Sequence, residues 1–467
     1  MRRNRAFLLV AGALFAAWFA SPSMAQNLEI KSTSVQLAAN VPAILYEPVA
    51  PTDKSHIAIF VMHAGVDYLH FSACAELSKR GYRVLCANNS VGGASTKDGI
   101  DRKLLDAKLG VAYLRKYPGV KKVVLLGHSG GGMLISAYQN IAENGLKACQ
   151  GPEKIVKCSD SLADMPSADG VMLLDAHFGD PVVNELFAWN PSAENPELDP
   201  YNPRNGYDPK GSKFSDEFLR KYQAQVGKKM NQLVREGLAK SKAGDADGEP
   251  FSFSVGTAAR LWSLDSRLLS HTHNAWPLLR PDGSIVTQIV YSVRPANGQT
   301  PQGGRPGGAG GPGGPGQGQG QGAPGNGQTP PRGGAGAGGE QKVALHEFLN
   351  TYAIRVTDDF GYDEDSVRGI DWSSSYSCAP GNVKGIKVPL LTMGMTGSYE
   401  YLAAEVIYEY AKSADKTIAF VEGATHQYST CTQCEKYPGQ YGDTQKTFYD
   451  YVDKWLSRKG RFLSDER

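Results

Sequence analysis

The feature that most constrains what this chain can fold into is an alternation of short, continuously apolar runs with longer segments of helical period. "HIAIFVMHAG" (56–65), "YRVLCANN" (82–89), residues 122–126, the opening of "GVMLLDAHFGD" (170–180), "VPLLTMGM" (388–395) and "KTIAFVEG" (416–423) each read as a buried strand. Residues 28–36 and 41–48 read as edge strands. Residues 71–80, 102–117, 131–144, 399–413 and 444–456 read as helices; in 102–117, Leu104, Leu105, Leu109, Val111, Ala112 and Leu114 lie on or near one face. Strands that are apolar throughout need cover on both sides. The expected class is therefore α/β, a mostly parallel sheet with helices on both faces. Sites in such sheets lie beyond the carboxyl ends of the strands.

The rhythm breaks between residues 181 and 387. That stretch holds a charged helical piece (215–242), an aromatic-bearing piece (251–279), a strand-like "SIVTQIVYSV" (284–293) and a further piece (343–380). Inserted between two sheet strands, it reads as a cap over the site. Within it, residues 296–341 are almost only Gly, Pro, Gln, Ala and Asn. They contain no aromatic residue that could seed a core, and the Gly-X-Y spacing of collagen is not kept, so the segment is expected to be a flexible linker. The expected organisation is 1–25 as an export signal, 26–180 as the first part of the core, 181–387 as the cap and 388–467 as the second part of the core.

The signal expectation rests on Arg2, Arg3 and Arg5, then an apolar run over 6–20, then Ser23-Met24-Ala25 as a small-x-small cleavage site before Gln26. Removing those three arginines takes the formal charge of +2 to −1, with no basic excess to favour nucleic acid. No other segment is long and apolar enough to span a membrane, so the mature protein is expected to be soluble and exported, to periplasm or medium. In an exported chain the seven cysteines favour disulfides over metal sites. Cys149 and Cys158 are expected to pair. Cys431 and Cys434 pair with each other, or one reaches Cys378; the odd count leaves at least one thiol. The C-x-x-C lacks a thioredoxin-like setting, and no second ligand pair accompanies it for zinc.

The chemistry concentrates at the strand ends. Gly127-His128-Ser129-Gly130-Gly131 matches G-x-S-x-G, between a strand and a helix. That is the setting in which a strained turn presents a serine above the sheet, with the following N–H, that of Gly130, at a helix N-terminus where an oxyanion is stabilised. Of nine histidines, His426 in "EGATHQY" follows a late strand and precedes the terminal helix, where an imidazole can serve Ser129 as base. His271 and His273 in "SHTHNAW" have no acidic or cysteine partners and read as packed cap. Trp262, Trp276 and Phe253 are candidates for pocket walls or for the cap's own core.

These motifs resemble the α/β-hydrolases: "GHSGG", "VEGATHQY" and the "FVMHAG" turn occur in that family's order, over roughly residues 40–180 and 385–460. The resemblance implies an eight-stranded, mostly parallel sheet with a large cap, no cofactor or metal, and a serine–histidine–acid triad of Ser129, His426 and a carboxylate. Two carboxylates fit the family's positions: Asp175, at the end of the preceding strand, and Glu400, at the start of the helix after 388–395, with Asp180 a lesser option. The resemblance also implies a second oxyanion donor from the early turn, the N–H of Gly65, and makes His63 a structural residue of that turn. The function expected is hydrolysis of small carboxylic esters through an acyl-enzyme. The alternatives are amide or peptide hydrolysis by the same triad, or a non-catalytic binding protein on the same fold.

Overall fold

The structure, a computed structural model, describes residues 28–244, 250–255, 260–295 and 339–463. The expected export signal and nearly all of the Gly/Pro/Gln-rich segment lie outside the described residues.

The strands are β1 (Ile30–Ala38), β2 (Val41–Pro48), β3 (Ile57–Met62), β4 (Arg83–Ala87), β5 (Lys122–Ser129), β6 (Gly170–Ala176), β7 (Pro250–Val255), β8 (His271–Leu279), β9 (Ile285–Tyr291), β10 (Gly339–Ala344), β11 (Arg355–Tyr362), β12 (Val367–Asp371), β13 (Leu390–Met395) and β14 (Lys416–Val421). One sheet takes ten of them, in the order β1-β2-β4-β3-β5-β6-β13-β14-β8-β9. From β4 to β8 every pairing is parallel; β1–β2, β2–β4 and β8–β9 are antiparallel.

Period-2 alternation builds two cores on this sheet. Along β3, Ala58, Phe60 and Met62 face one side, against helices Ile100–Lys116 and Gly130–Asn144. Ile57, Ile59 and Val61 face the other, against helices Ser72–Ser78 and Thr444–Leu456. Because the central strands are buried on both faces, the sequence shows them as unbroken apolar runs.

The expected count of eight strands is corrected to ten. The two additional strands, β8 and β9, come from the stretch assigned above to the cap. Phe420 and Val421 of β14 pair with Leu278 and Leu279, so the hairpin covers an edge that β14 would otherwise leave open. Glu405, buried on helix Ala403–Tyr410, fastens it. Its carboxylate accepts from the His273 N–H (2.9 Å), the Asn274 N–H (2.8 Å) and the Trp276 Nε1–H (2.7 Å). The polar "HTHN" masked this strand in the sequence: His273, Asn274 and Ala275 are exposed, and of its apolar residues Leu278 and Leu279 are the buried ones, beside a buried Thr272.

The rest of residues 181–387 carries the helix Asp216–Ala243, capped by the Ser215 hydroxyl on the Phe218 N–H and ended by Gly244 in the left-handed region (φ 87°). Phe218, Tyr222, Val226, Met230 and Val234 form its buried stripe at intervals of four. Two hairpins complete the segment, β7 with β10 and β11 with β12. Gly339, Glu340 and Gln341, the last residues of the expected linker, pair with Val255, Ser254 and Phe253 and so belong to a strand.

Candidate active site

β5 runs directly into helix Gly130–Asn144, and Ser129 is the residue between them, at φ 52° and ψ −130°. A side-chain-bearing residue at positive φ costs on the order of 1–2 kcal/mol. It turns the chain so that the Ser129 side chain leaves the sheet while Gly130 opens the helix with its N–H unpaired within it. The glycines permit the close approach. A Cβ on Gly127 would lie 2.7 Å from the Gly131 carbonyl oxygen, and one on Gly132 would strike the Ala176 Cβ.

Asp175 arises from an irregularity in β6. His128 pairs with Leu174 and Ser129 with Ala176, so Asp175 is an extra residue, at φ 49°. Such a bulge re-aims a side chain. Here it sends the carboxylate toward β13 and the loop after β14. Asp175 Oδ1 accepts from the Met395 N–H (3.0 Å), and Oδ2 lies 2.7 Å from His426 Nδ1. His426 sits in a tight turn closed by the Thr425 N–H to the Ser429 carbonyl (2.7 Å) and the Tyr428 N–H to the Thr425 carbonyl (2.9 Å). Glu400 reaches the same nitrogen less closely: its Oε2 is 3.8 Å from His426 Nδ1, and neither of its buried oxygens accepts a hydrogen bond. It stands in a turn ahead of the helix, which begins at Ala403, rather than in the helix's first turn as expected. Burial alone would lower the His426 pKa. The charge of Glu400, then the hydrogen bond and charge of Asp175, outweigh it, and the pKa is raised above its ordinary 6.5.

Three further histidines crowd this centre. His128 Nε2 donates to the His426 carbonyl (2.7 Å), so its Nδ1 is left to accept from the Tyr68 hydroxyl (2.5 Å). The His128 and His426 rings lie 4.3 Å apart. Burial, with the His426 charge, holds His128 well below its ordinary pKa, so it stays neutral and ties the His426 backbone to the residue beside Ser129. His63 Nδ1 accepts from the N–H groups of Gly65 (2.9 Å) and Val66 (3.0 Å), which leaves the ring proton on Nε2. Burial, then the charges of His177, His426 and Lys103, lower His63 to about 3. Its Nε2 lies 3.1 Å from where a Cβ on Gly130 would stand, as does His177 Nε2.

Two expectations therefore change. The Gly65 N–H, expected as an oxyanion donor, donates to the His63 ring. His63, expected as a structural residue of its turn, also brings its Nε2 close to Gly130. Sequence reasoning gave His63 only a structural role and passed over His128 and His177. The signal was present: each lies at the carboxyl end of a sheet strand, β3, β5 or β6, as His426 lies beyond β14.

His128, Asp175 and His426 bring one potential metal-ligand atom each within 4.8 Å, the one such group found among the described residues. Both His128 nitrogens are already committed, as is the Asp175 carboxylate, so the trio is occupied as a hydrogen-bonded chain. Of the aromatic candidates, Trp262 lines a slot beside Glu400. Phe253 packs on Phe348 and Tyr352, and Trp276 is tied to Glu405. Cys74–Cys86, Cys149–Cys158 and Cys431–Cys434 form disulfides, and Cys378 is free and buried. No helix among the described residues is long and apolar enough to cross a membrane.

No family model and no curated protein matches the chain. Solved structures match it at low identity. A hypothetical protein from Pseudomonas Aeruginosa is 12% identical, with a TM-score of 0.38, over 96% of this chain and 99% of that one. Est1E from Butyrivibrio proteoclasticus is 11% identical, with a TM-score of 0.35, over 91% of this chain and 97% of that one. Esterase B from Lactobacillus Rhamnosis is 16% identical, with a TM-score of 0.26, over 38% of this chain and 56% of that one. Likenesses at this level carry no residue's role across. By its own strand order, its parallel register and the strand–turn–helix at Ser129, the chain has the α/β-hydrolase fold.

Proposed function

We propose that the protein is an exported serine hydrolase that cleaves small carboxylic esters through an acyl-enzyme. The observation that carries the reading is the 2.7 Å contact between His426 Nδ1 and a buried Asp175, on an imidazole anchored to the residue preceding Ser129. In this reading Ser129 Oγ attacks the ester carbonyl, and His426 Nε2 takes the hydroxyl proton. The imidazolium is held by Asp175. The oxyanion is stabilised by the Gly130 N–H and, in place of Gly65, by the His63 Nε2–H. The intermediate collapses, the C–O bond to the alcohol breaks, and His426 returns its proton to the leaving oxygen. Water, deprotonated by His426, then frees the acid and restores Ser129.

Neutral His63 and His128 suit these roles, since a second cation beside His426 would oppose its protonation. Export is supported by the three disulfides, which persist in oxidising compartments. The test is Ser129→Ala assayed on p-nitrophenyl acetate. A fall in kcat of about 10⁴-fold or more is expected; turnover retained near the wild-type rate overturns the reading.

A further inference from the structure

Gly130, the residue after Ser129, is closely bordered. A Cβ on it would stand 3.1 Å from His63 Nε2 and 3.1 Å from His177 Nε2. The two imidazoles come from different strands: His63 follows β3 and His177 follows β6. Their Nε2 atoms therefore converge on one point and can be no farther apart than twice that distance. The same glycine opens helix Gly130–Asn144, with an N–H that has no acceptor within the helix. The space left by its missing side chain is thus bordered by two ring nitrogens and lies beside a backbone donor.

The chain around Ser129 holds His177 in place. Ala176 pairs with Ser129 between β6 and β5, and the His177 N–H donates to the Ser129 carbonyl (3.3 Å). The residues on either side of Ala176 reach different parts of the site: Asp175 meets His426, and His177 meets Gly130. The surroundings also decide which ring nitrogen carries the proton. His177 is 5% exposed, and its Nδ1 is buried with no hydrogen-bond partner among the described residues. Asp180 Oδ1, which accepts from the Asn184 amide (3.1 Å), lies 3.6 Å from His177 Nε2. A carboxylate so near favours an N–H over a lone pair on Nε2, and a proton on Nδ1 would be a buried donor without an acceptor. The proton therefore sits on Nε2. Asp180 is too far away to accept it as a hydrogen bond, so this N–H, like that of His63, has no acceptor among the described residues.

Two N–H groups without acceptors, converging beside the nucleophile, suit an oxygen that gains charge during the reaction. We propose that His177 is a second side-chain donor to the oxyanion, so that the substrate's carbonyl oxygen is held by the His177 and His63 Nε2–H groups together with the Gly130 N–H. As the bond from Ser129 Oγ to the carbonyl carbon forms, the carbonyl π pair moves onto this oxygen, and no proton leaves His177. As the pair returns, the bond to the alcohol breaks. Asp180 is a positioning residue that keeps the proton on Nε2. The assignment rests on the ester-hydrolase reading, and its test can be separated from the test of that reading.

The experiment compares full-length wild type, His177→Gln and His177→Met on p-nitrophenyl acetate. It also measures their inhibition by 1,1,1-trifluorohexan-2-one, a ketone that adds to a reactive serine as a tetrahedral adduct. Gln and Met are alike in length, and only Gln can donate a hydrogen bond. His177→Met is expected to lower kcat by about 10²-fold or more with KM within about 3-fold, and to weaken the ketone by a similar factor. His177→Gln is expected to lose about 10-fold or less in both. A residue that only shaped its turn would not separate the two variants. Thermal unfolding checks that each is folded, and His177→Leu replaces His177→Met if it is not. A kcat for the non-donating variant within about 3-fold of wild type overturns the proposal. So do equal losses in the Gln and Met variants, or a fall in kcat that leaves the ketone's affinity unchanged. Ser129→Ala separates the two readings: wild-type turnover that is lost in Ser129→Ala but kept in His177→Met sinks the donor role alone, and a wild type without turnover sinks the hydrolase reading and the donor role with it.

Discussion

At the scale of single residues, the site is organised around which charges a buried imidazole can see. His426 has two carboxylates on one nitrogen, at 2.7 Å and 3.8 Å, and neutral His128 beneath it. Only Asp175 makes the hydrogen bond that fixes tautomer and orientation. Asp175→Asn should therefore reduce kcat/KM by about 10³–10⁴-fold, the loss typical when the orienting acid is replaced by its amide. Glu400 acts mainly through its charge. A base must be neutral to accept a proton, so a raised His426 pKa means that kcat/KM rises with pH through a limb lying above 6.5. Glu400→Gln removes one of the groups that raise it, and the limb should move to lower pH with a smaller loss of rate than Asp175→Asn. A limb that stays in place in Glu400→Gln would show that the Glu400 charge does not reach the base. Neither role was legible from the residues alone. Asp175 and Glu400 both stand near strand ends, and the choice between them depended on a bulge and a turn that spacing does not reveal.

At the scale of elements, the strand–turn–helix around Ser129 was legible because its glycines, apolar strand and helical period are all local. The β8–β9 hairpin was not, because its pattern is set by what it meets: a short parallel contact with β14 and a buried glutamate on a helix more than a hundred residues later. Glu405 accepts three N–H groups of that hairpin, and removing it leaves donors without partners. Glu405→Ala is expected to lower the unfolding free energy by about 1–3 kcal/mol, on the basis of roughly 0.5–1.5 kcal/mol for each part-buried hydrogen bond lost and partial rescue by water. Urea denaturation of the two proteins checks it; a loss within about 0.5 kcal/mol would mean that the hairpin is held by its strand pairing alone.

At the scale of the whole molecule, the cysteines report on the compartment in which the chain folds. The structure leaves one thiol, Cys378, whose pKa burial raises. Protein recovered from an oxidising compartment should therefore show no thiol to an aromatic disulfide reagent when native. It should show one when denatured without reductant, and seven after reduction. Three or more thiols in the denatured, unreduced protein would contradict the pairing.

The sequence by itself determined the class of fold, the place of Ser129 and the late-loop histidine. Each depends on local periodicity and on the backbone needs of a sharp turn, which neighbouring residues express directly. Tertiary structure alone decided the ten-stranded sheet, the assembly of four histidines at four strand ends, the bond from the Gly65 N–H to His63, and the nearer approach of Asp175 to His426. These follow from distances between segments far apart in the chain, and a hydrogen bond only becomes specific once packing has fixed those distances to within a few tenths of an ångström.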